Sequence, residues 1–128
     1  MKALIVDDSR AIRLVLSQIM TGIGFEVAEA RHGREALTYL QSHADTDLAL
    51  IDWNMPEMNG LELVEAVRGD ARLQHLRMMM VTTETEVSHI QRALNAGANE
   101  YVMKPFSKEI IEEKLHLLGM GGGTADVP

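Results

Sequence analysis

Ala3-Leu4-Ile5-Val6 is a short apolar run that ends abruptly in the acidic pair Asp7-Asp8. A continuous apolar run of this length, bounded by polar residues, is typical of a strand that is covered on both faces of a sheet. Residues 9–21 then follow a helical pattern, so this part of the chain predicts a strand that leads directly into a helix. The two carboxylates lie at the point where the strand ends.

Four further strand–helix units follow the first one. Apolar runs predict strands at residues 25–30, 47–52, 78–82 and 100–103, and helical patterns predict helices at 34–42, 61–68, 86–96 and 108–118. This alternation indicates right-handed crossovers and one open parallel sheet, which is the doubly wound α/β class. We therefore expect five strands and five helices.

Capping residues mark the ends of two of these helices. Asp8 or Ser9 can cap the start of the first helix, since both side chains accept hydrogen bonds from backbone N–H groups. Gly22 and Gly24 are predicted to end that helix. Gly97 is predicted to end the fourth helix, where a left-handed conformation is wanted.

The composition is that of an ordinary globular domain. The chain has 128 residues, of which 46% are hydrophobic and 24% charged, and we expect one domain over residues 1–120 with a disordered glycine-rich tail at 121–128. The absence of cysteine excludes disulfides and thiolate sites and fits a cytoplasmic protein. No apolar run approaches the roughly 20 residues of a membrane-spanning helix, and the net charge of −7 argues against nucleic-acid binding.

The carboxyl ends of the predicted strands collect side chains that can do chemistry. Ligands of open parallel sheets bind beyond these ends. Considered singly, Asp8 is a helix cap, Thr82 a strand residue and Lys104 a surface lysine, but their common edge favours a site. The side chains predicted at this edge belong to Asp7, Asp8, Asp52, Thr82, Thr83 and Lys104.

Such a set of groups predicts phosphoryl chemistry. Three clustered carboxylates repel one another, and the pKa of one of them rises unless a cation is present. Mg²⁺ is the natural candidate, with Mn²⁺ as an alternative, because carboxylates and phosphate oxygens are its usual ligands. A metal, a hydroxyl and an ammonium together stabilise a transferring phosphoryl group. A carboxylate is a competent nucleophile toward phosphorus, so an aspartyl phosphate is the expected product.

Four motifs in order make the chain similar to a known family. The chain resembles the receiver domains of two-component response regulators over residues 1–120, and it is most similar to stand-alone chemotaxis-type receivers. The resemblance implies the strand order 2-1-3-4-5. The motifs are Val6-Asp7-Asp8-Ser9, Ile51-Asp52-Trp53-Asn54-Met55-Pro56 with Gly60, Val81-Thr82-Thr83-Glu84 and Lys104-Pro105-Phe106, and the chemotaxis-type features are Trp53, Asn54, Glu84 and Glu112-Glu113-Lys114-Leu115.

The resemblance implies a role for each matching residue at the acidic edge. Asp52 corresponds to the aspartate that accepts the phosphoryl group, and Lys104 to the lysine that pairs with the acyl phosphate. Asp8, Asp52 and the backbone carbonyl of Asn54 correspond to direct Mg²⁺ ligands. Asp7 corresponds to the second acid, which acts through metal-bound water.

The resemblance also implies a conformational switch. Thr82 corresponds to the hydroxyl that moves to the phosphoryl group, and Tyr101 to the aromatic residue that then turns inward. The surface formed by the fourth helix, fifth strand and fifth helix changes in consequence, and a target protein binds it. Pro105 corresponds to a proline that follows a cis bond.

Three polar residues are predicted to set the lifetime of the phosphoryl group. Asn54 and Glu84 are placed to contact attacking water or the phosphoryl group, a combination that in the family accompanies short-lived phosphorylation. Thr83 stands where the family more often has alanine, glycine or serine. Its branched side chain is expected to alter exchange rates and not the chemistry.

The expected function is therefore a signalling switch with intrinsic autophosphorylation and autodephosphorylation, not an enzyme that acts on a metabolite. Its phosphodonor would be a sensor histidine kinase or a histidine phosphotransfer protein. The expected state is a monomer, with a phosphorylation-linked dimer as the alternative. Two other functions stay open: a Mg²⁺-dependent phosphohydrolase of the haloacid-dehalogenase type, which wants an acid where Asn54 stands, and an interaction module that is never phosphorylated.

Several other residues allow two explanations. Arg10 and Arg13 are predicted to share an exposed helix face that either meets an acidic phosphodonor or is simply solvated. Trp53 is either a reporter of metal binding or a packing residue, and the run 78–80 of three methionines is predicted to fill the core. The histidines are interpreted as surface residues: His32, His43, His75, His89 and His116.

Overall fold

Five parallel strands form one sheet with helices on both faces. The structure, a computed structural model, describes residues 1–83 and 87–120, with only the backbone at residue 87. The strands are β1 (Lys2–Val6), β2 (Glu26–Ala30), β3 (Leu48–Ile51), β4 (Arg77–Thr82) and β5 (Glu100–Met103). The helices are α1 (Arg10–Ile23), α2 (Gly33–Ser42), α3 (Gly60–Arg68), α4 (Val87–Ala96) and α5 (Lys108–Leu117), with a 3₁₀ turn at Ala71–Leu73.

The strand order is β2-β1-β3-β4-β5, and every neighbouring pair is parallel. This confirms the doubly wound α/β fold and the order that the resemblance implies. β1 and β3 lie in the middle of the sheet, so the residues that follow them reach the centre of its carboxyl edge. The order changes direction between these two strands, which is where open sheets of this kind bind ligands.

The sheet separates two apolar cores. Successive residues of a strand point to opposite faces, so Met78 and Met80 pack with α2, α3 and α4, whereas Met79 packs with α1 and α5. All three methionines are at most 2% exposed. Because both faces are covered, the strands read as continuous apolar runs, and the prediction that the methionine run fills the core is confirmed.

The first helix is capped by Ser9 and ends at Gly24. The Ser9 hydroxyl accepts a hydrogen bond from the backbone N–H of Ile12 at 3.3 Å, which decides between the two predicted caps. Gly24 takes a φ of 120° and closes the helix. The prediction that Gly22 also ends the helix is wrong, because Gly22 lies inside α1. A glycine with helical φ and ψ continues a helix at a modest cost.

An arginine ties the far end of α4 to the amino edge of the sheet. Gly97 follows α4 with a φ of 124°, as predicted, and a side chain there would collide with Arg68. The Arg68 guanidinium donates to the Gly97 carbonyl at 3.0 Å, to the Leu76 carbonyl at 2.7 Å and to the Asn99 side chain at 2.9 Å. The carbonyls of Leu73 and Gln74 accept further bonds from it, each at 3.3 Å. One side chain therefore links the carboxyl end of α4 to the segment that leads into β4.

The predicted ends of the elements agree with the structure to within two residues wherever the structure describes them. The predicted start of the fourth helix at residue 86 and the predicted tail at 121–128 lie outside the described residues. Within the described ranges, the longest helix is α1 with 14 residues. No helix there has the length and apolar character that crossing a bilayer requires.

Candidate functional site

The predicted carboxylates and the lysine meet at the carboxyl edge of the sheet. Asp7 and Asp8 follow β1, Asp52 follows β3, and Lys104 follows β5. One carboxylate oxygen from each of the three aspartates lies within 4.8 Å of the other two. Thr82 is the last residue of β4 at the same edge and is 2% exposed. The grouping predicted from strand ends is thus present.

Lys104 spans two of the three carboxylates. Its Nζ donates to Asp7 Oδ2 at 2.9 Å and to Asp52 Oδ1 at 3.3 Å. The aspartate side chains of these pairs are 2% and 8% exposed, and that of Lys104 is 15% exposed. Such pairs are strongly coupled, because little water screens them. Asp8 is exposed and makes the cluster accessible from solvent.

One ammonium does not balance three carboxylates, and the titration of Asp52 reflects this. Burial, together with the charge of Asp7, raises the pKa of Asp52 from 3.8 to about 6, although Lys104 pulls it downward. Burial alone would lower the pKa of Lys104. The hydrogen bond to Asp7 and the charges of Asp52 and Asp7 outweigh burial, so that the pKa of Lys104 is raised. The residual negative charge and the hard oxygen donors fit a divalent cation such as Mg²⁺.

The backbone holds the carboxylates in place. Asp7 Oδ1 accepts a hydrogen bond from the N–H of Ser9 at 2.8 Å, and the N–H of Asp52 donates to the Val6 carbonyl at 2.9 Å. The first bond closes a local turn of the kind that Asp favours. The second continues the pairing of β1 and β3 by one residue. Both aspartates therefore directly follow the central strands and are held by backbone hydrogen bonds next to them.

The turn that follows Asp52 returns against the strand because residue 60 has no side chain. The N–H of Gly60 donates to the Trp53 carbonyl at 2.9 Å. A Cβ on Gly60 would lie 2.5 Å from the Asp52 carbonyl and 2.8 Å from Met80 Cε. The next helix then starts with a reciprocal cap, in which Asn59 and Glu62 each bond the other's backbone N–H.

Arg13 lies beneath the acidic pair and not on an exposed face. Its Nη1 donates to the Asp7 carbonyl at 2.7 Å, and its Nε donates to Glu29 Oε1 at 3.0 Å. The Arg13 side chain is only 11% exposed. The prediction that Arg10 and Arg13 share an exposed docking face is therefore wrong for Arg13. The helical spacing alone could not show that β2 places a carboxylate opposite this residue.

Trp53 is a packing residue that contacts a histidine. The rings of Trp53 and His89 stack with centroids 5.0 Å apart and planes inclined by 14°. Trp53 is 8% exposed and belongs to the core beneath α3 and α4. The interpretation of His89 as a plain surface residue is wrong, because its ring is partly buried against Trp53. His32 also has a specific contact, since its Nδ1 accepts the N–H of Glu35 and caps α2.

Tyr101 is half-buried beside a very small cavity. The cavity has a volume of about 10 Å³. The Nζ of Lys114 lies 4.8 Å from the centre of the Tyr101 ring, an arrangement in which a cation attracts the face of a ring. The residues around the cavity include Trp53, Met80, Thr82, His89, Ala93 and Tyr101.

Most of the remaining predicted residues lie near the carboxyl edge of the sheet, and one lies outside the described residues. Asn54 and Thr83 are exposed near the end of β3 and directly after β4. The Lys104–Pro105 peptide bond is cis, as the resemblance implies. Glu84 lies outside the described residues.

Comparison with known proteins agrees with this geometry. The family model of the response regulator receiver domain matches residues 3–116. The chemotaxis protein CheY1 of Helicobacter pylori is 44% identical over 119 residues, which cover 92% of this chain and 96% of that protein. The CheY homologue of Campylobacter jejuni is 44% identical over 125 residues, which cover 96% of each chain.

A solved structure extends the similarity to the fold. The chemotaxis protein CheY4 of Vibrio cholerae matches with a TM-score of 0.84 and 39% sequence identity, over 91% of this chain and 96% of that chain. The chain belongs to the response regulator receiver family and is similar to its CheY-type members.

Proposed function

We propose that the receiver domain, residues 1–120, is a phosphorylation switch of chemotaxis-type signalling in the cytoplasm, with Asp52 as the phosphoryl acceptor. The observation that carries the proposal is the Lys104 ammonium. It lies 3.3 Å from Asp52 Oδ1 and 2.9 Å from Asp7 Oδ2, within a cluster of three carboxylates. The CheY names of its relatives support the chemotaxis assignment.

The acidic cluster would hold the metal that the reaction needs. Asp8, Asp52 and the backbone carbonyl of Asn54 are the proposed direct ligands, and Asp7 is proposed to act through metal-bound water. Mg²⁺ is the proposed ion and Mn²⁺ the alternative, because both accept hard oxygen ligands. When bound, the ion neutralises charge on the carboxylates and on the incoming phosphoryl group.

Phosphoryl transfer then proceeds from a phosphohistidine of a sensor histidine kinase or histidine phosphotransfer protein. A carboxylate oxygen of Asp52 attacks phosphorus and forms a P–O bond, while the P–N bond to the donor breaks. The imidazole nitrogen keeps the electron pair of the broken bond. Lys104 remains charged throughout, because its pKa is raised, and its ammonium pairs with the transferred group.

The proposed output is a change at the surface formed by α4, β5 and α5. Thr82 ends β4 beside the cavity next to Tyr101, which is too small for a phenol ring. Movement of Thr82 toward the phosphoryl group would enlarge this space, and Tyr101 would turn inward. The ring would then leave Lys114, whose Nζ lies 4.8 Å from its centre. Phosphorylation thereby shifts the population between two surface states that a target protein distinguishes.

The exposed rim residues are proposed to set how long the phosphoryl group persists. Asn54 and Thr83 are solvent-exposed, so they can contact water that approaches the acyl phosphate. Glu84 is proposed for the same role from its place in the sequence. The protein is proposed to be a monomer that contacts proteins and neither nucleic acid nor membrane, with a dimer only as a consequence of phosphorylation.

The test is intact-mass measurement after incubation with Mg²⁺ and acetyl phosphate. We expect one added phosphoryl group in the wild type, none in Asp52→Asn, and none when EDTA is present. Asp45→Asn is the matched control, since this exposed aspartate pairs with Lys2 away from the cluster. An adduct that persists in Asp52→Asn would refute the assignment of the acceptor.

A second measurement separates rapid turnover from absence of the reaction. If no adduct accumulates, Trp53 fluorescence is titrated with beryllofluoride in the presence of Mg²⁺. A response in the wild type but not in Asp52→Asn would show that the site binds a phosphoryl mimic and that turnover is fast. No response, with Mg²⁺ binding demonstrated, would favour a phosphorylation-independent interaction module instead.

A further inference from the structure

Arg13 connects the first helix to the backbone of the acidic pair and to the edge strand. Its Nη1 donates to the Asp7 carbonyl at 2.7 Å, and its Nε donates to Glu29 Oε1 at 3.0 Å. The other oxygen of Glu29 accepts a hydrogen bond from the Ser17 hydroxyl at 3.0 Å. Glu29 is therefore held from α1 at two points, and Arg13 is held in turn by Glu29. Two acceptors, the Asp7 carbonyl and Glu29, therefore hold the guanidinium.

Asp7 is the first residue after β1, and its carbonyl accepts the hydrogen bond from Arg13. The N–H of Asp7 still pairs with the neighbouring strand, since it donates to the Ala30 carbonyl at 3.2 Å. Beyond this point the chain leaves the sheet and turns toward Ser9. The Asp7 carbonyl and the Asp8 N–H belong to one planar peptide group. A hydrogen bond to that carbonyl therefore also restrains the peptide group to which the Asp8 Cα is attached.

The orientation of this peptide matters more for the Asp8 carboxylate than for those of Asp7 and Asp52, which have other partners. Asp7 and Asp52 are both bonded by Lys104. Among the described residues, no hydrogen bond or ion pair restrains the Asp8 carboxylate, which is exposed. Apart from its own side-chain torsions, only the backbone restrains its position.

We propose that Arg13 is a positioning residue for divalent-cation binding: by bonding the Asp7 carbonyl, it orients the peptide that aims Asp8 at the metal. This inference rests on the proposed function, because it assumes that Asp7, Asp8 and Asp52 hold Mg²⁺. Arg13 contacts neither the ion nor the phosphoryl group in this scheme. Groups that hydrogen-bond metal ligands directly change metal affinity about 10–100-fold when they are removed, and we expect an effect of that order for Arg13.

A positioning role for Arg13 and a simple effect of its charge predict opposite changes in Mg²⁺ affinity when Arg13 is removed. Arg13 is a cation near a cation site, so its removal would strengthen Mg²⁺ binding if only its charge mattered. Removal would also leave the Glu29 carboxylate uncompensated, which adds to the attraction for Mg²⁺. The positioning role predicts weaker binding despite both effects. The sign of the change therefore discriminates between the two explanations.

The experiment compares Arg13→Gln with Arg10→Gln in the full chain without any phosphodonor. Arg10 is exposed on the same helix and has no hydrogen bond among the described residues, so its variant makes the same change in charge without touching the Asp7 carbonyl. Mg²⁺ dissociation constants are measured by isothermal titration calorimetry. We expect about 10–100-fold weaker binding for Arg13→Gln and unchanged or slightly tighter binding for Arg10→Gln.

A metal-free readout accompanies the titration. The backbone amide of Asp8 should show a changed ¹⁵N chemical shift in Arg13→Gln but not in Arg10→Gln, because only the first loses the bond to the neighbouring carbonyl. Arg13→Lys should bind Mg²⁺ with an affinity between those of the wild type and Arg13→Gln. A lysine ammonium can bond the Asp7 carbonyl or Glu29, but it lacks the planar guanidinium that bonds both at once. If Arg13→Gln does not fold, Arg13→Lys decides: weaker binding than wild type supports the role, and equal binding overturns it.

Failure of the inference is distinguishable from failure of the proposed function. If folded Arg13→Gln binds Mg²⁺ as tightly as the wild type or more tightly, while Asp8→Asn binds it more weakly, the metal site stands and the role of Arg13 is refuted. If the wild type itself shows no Mg²⁺ binding, the metal site of the proposed function is wrong, and the inference falls with it.

Discussion

At the scale of single residues, the ionised carboxylate of Asp52 destabilises the folded protein. Burial and Asp7 raise the pKa of Asp52 to about 6, so the ionised carboxylate is less stable in the folded protein than in the unfolded chain. A raised carboxylate pKa means that this cost is full above about pH 6 and disappears as the pH falls toward the ordinary value of 3.8. The metal-free protein is therefore less stable at neutral pH than it would be without this charge.

Replacing Asp52 by asparagine should accordingly stabilise the metal-free protein. We expect Asp52→Asn to raise the free energy of unfolding by about 1–2 kcal/mol at pH 7.5, a value discounted because solvent reaches the cluster through Asp8. The gap between the variant and the wild type should narrow at pH 5, where Asp52 is mostly protonated in the fold. Urea unfolding at both pH values measures this. Asp45→Asn should show no such gain, and a loss of stability in Asp52→Asn would contradict the assigned cause.

Replacing Lys104, in contrast, is expected to destabilise the folded protein. Lys104→Met leaves Asp7 and Asp52 buried without the ammonium that lies 2.9 Å and 3.3 Å from them. Breaking such a buried pair from one side should reduce the free energy of unfolding by about 3 kcal/mol at pH 7.5. Urea unfolding of Lys2→Met serves as the control, because Lys2 belongs to an exposed pair and its loss should stay below about 1 kcal/mol. Equal losses in the two variants would show that the pairs at Lys104 are not coupled to folding.

At the scale of elements, the turn between β3 and α3 is packed too closely for any side chain at residue 60. A Cβ on Gly60 would lie 2.5 Å from the Asp52 carbonyl, which is backbone and cannot yield cheaply. We expect Gly60→Ala to lower the free energy of unfolding by about 2 kcal/mol. It should also change Trp53 fluorescence, because the backbone of Trp53 lies against residue 60 and would have to shift.

Gly22 provides the matched control for that substitution. It lies inside α1, and a Cβ there would meet nothing within 4 Å. Gly22→Ala should therefore stabilise the protein by about 0.5 kcal/mol, since alanine loses less conformational entropy in a helix. Thermal and urea unfolding of the two variants should thus move in opposite directions. Similar changes would mean that close packing does not decide the effect at Gly60.

At the scale of the whole molecule, different interactions stabilise the amino edge and the carboxyl edge of the sheet. The amino edge near α4 is fixed by Arg68, which bonds the carbonyls of Gly97 and Leu76. The carboxyl edge carries the cluster and the half-buried Tyr101. Beryllofluoride should therefore change amide hydrogen exchange in β5 and at the start of α5, and leave the segment from Leu73 to Leu76 unchanged. A uniform change across the molecule would contradict a response confined to one edge.

Much of this organisation was predictable, because both faces of the sheet are covered. Strands buried on two sides are continuous apolar runs, and their carboxyl ends converge, so Asp7, Asp52 and Lys104 could be placed together from order alone. The predictions for Arg13 and His89 are wrong because their partners, Glu29 and Trp53, come from elements distant in the chain. Helical spacing describes one helix and carries no information about what packs against it.

The same convergence has a consequence for biosynthesis. Lys104 bonds residues that precede it by 97 and 52 positions, so the charge-balanced site requires β1, β3 and β5 to be assembled at once. A nascent or truncated chain that lacks β5 would present Asp7 and Asp52 without their counterion. Such a chain would carry Asp52, the proposed acceptor, and still lack Lys104, which is proposed to pair with the acyl phosphate. Under the proposed function, competence to receive a phosphoryl group therefore requires that the chain be made and folded at least as far as Lys104.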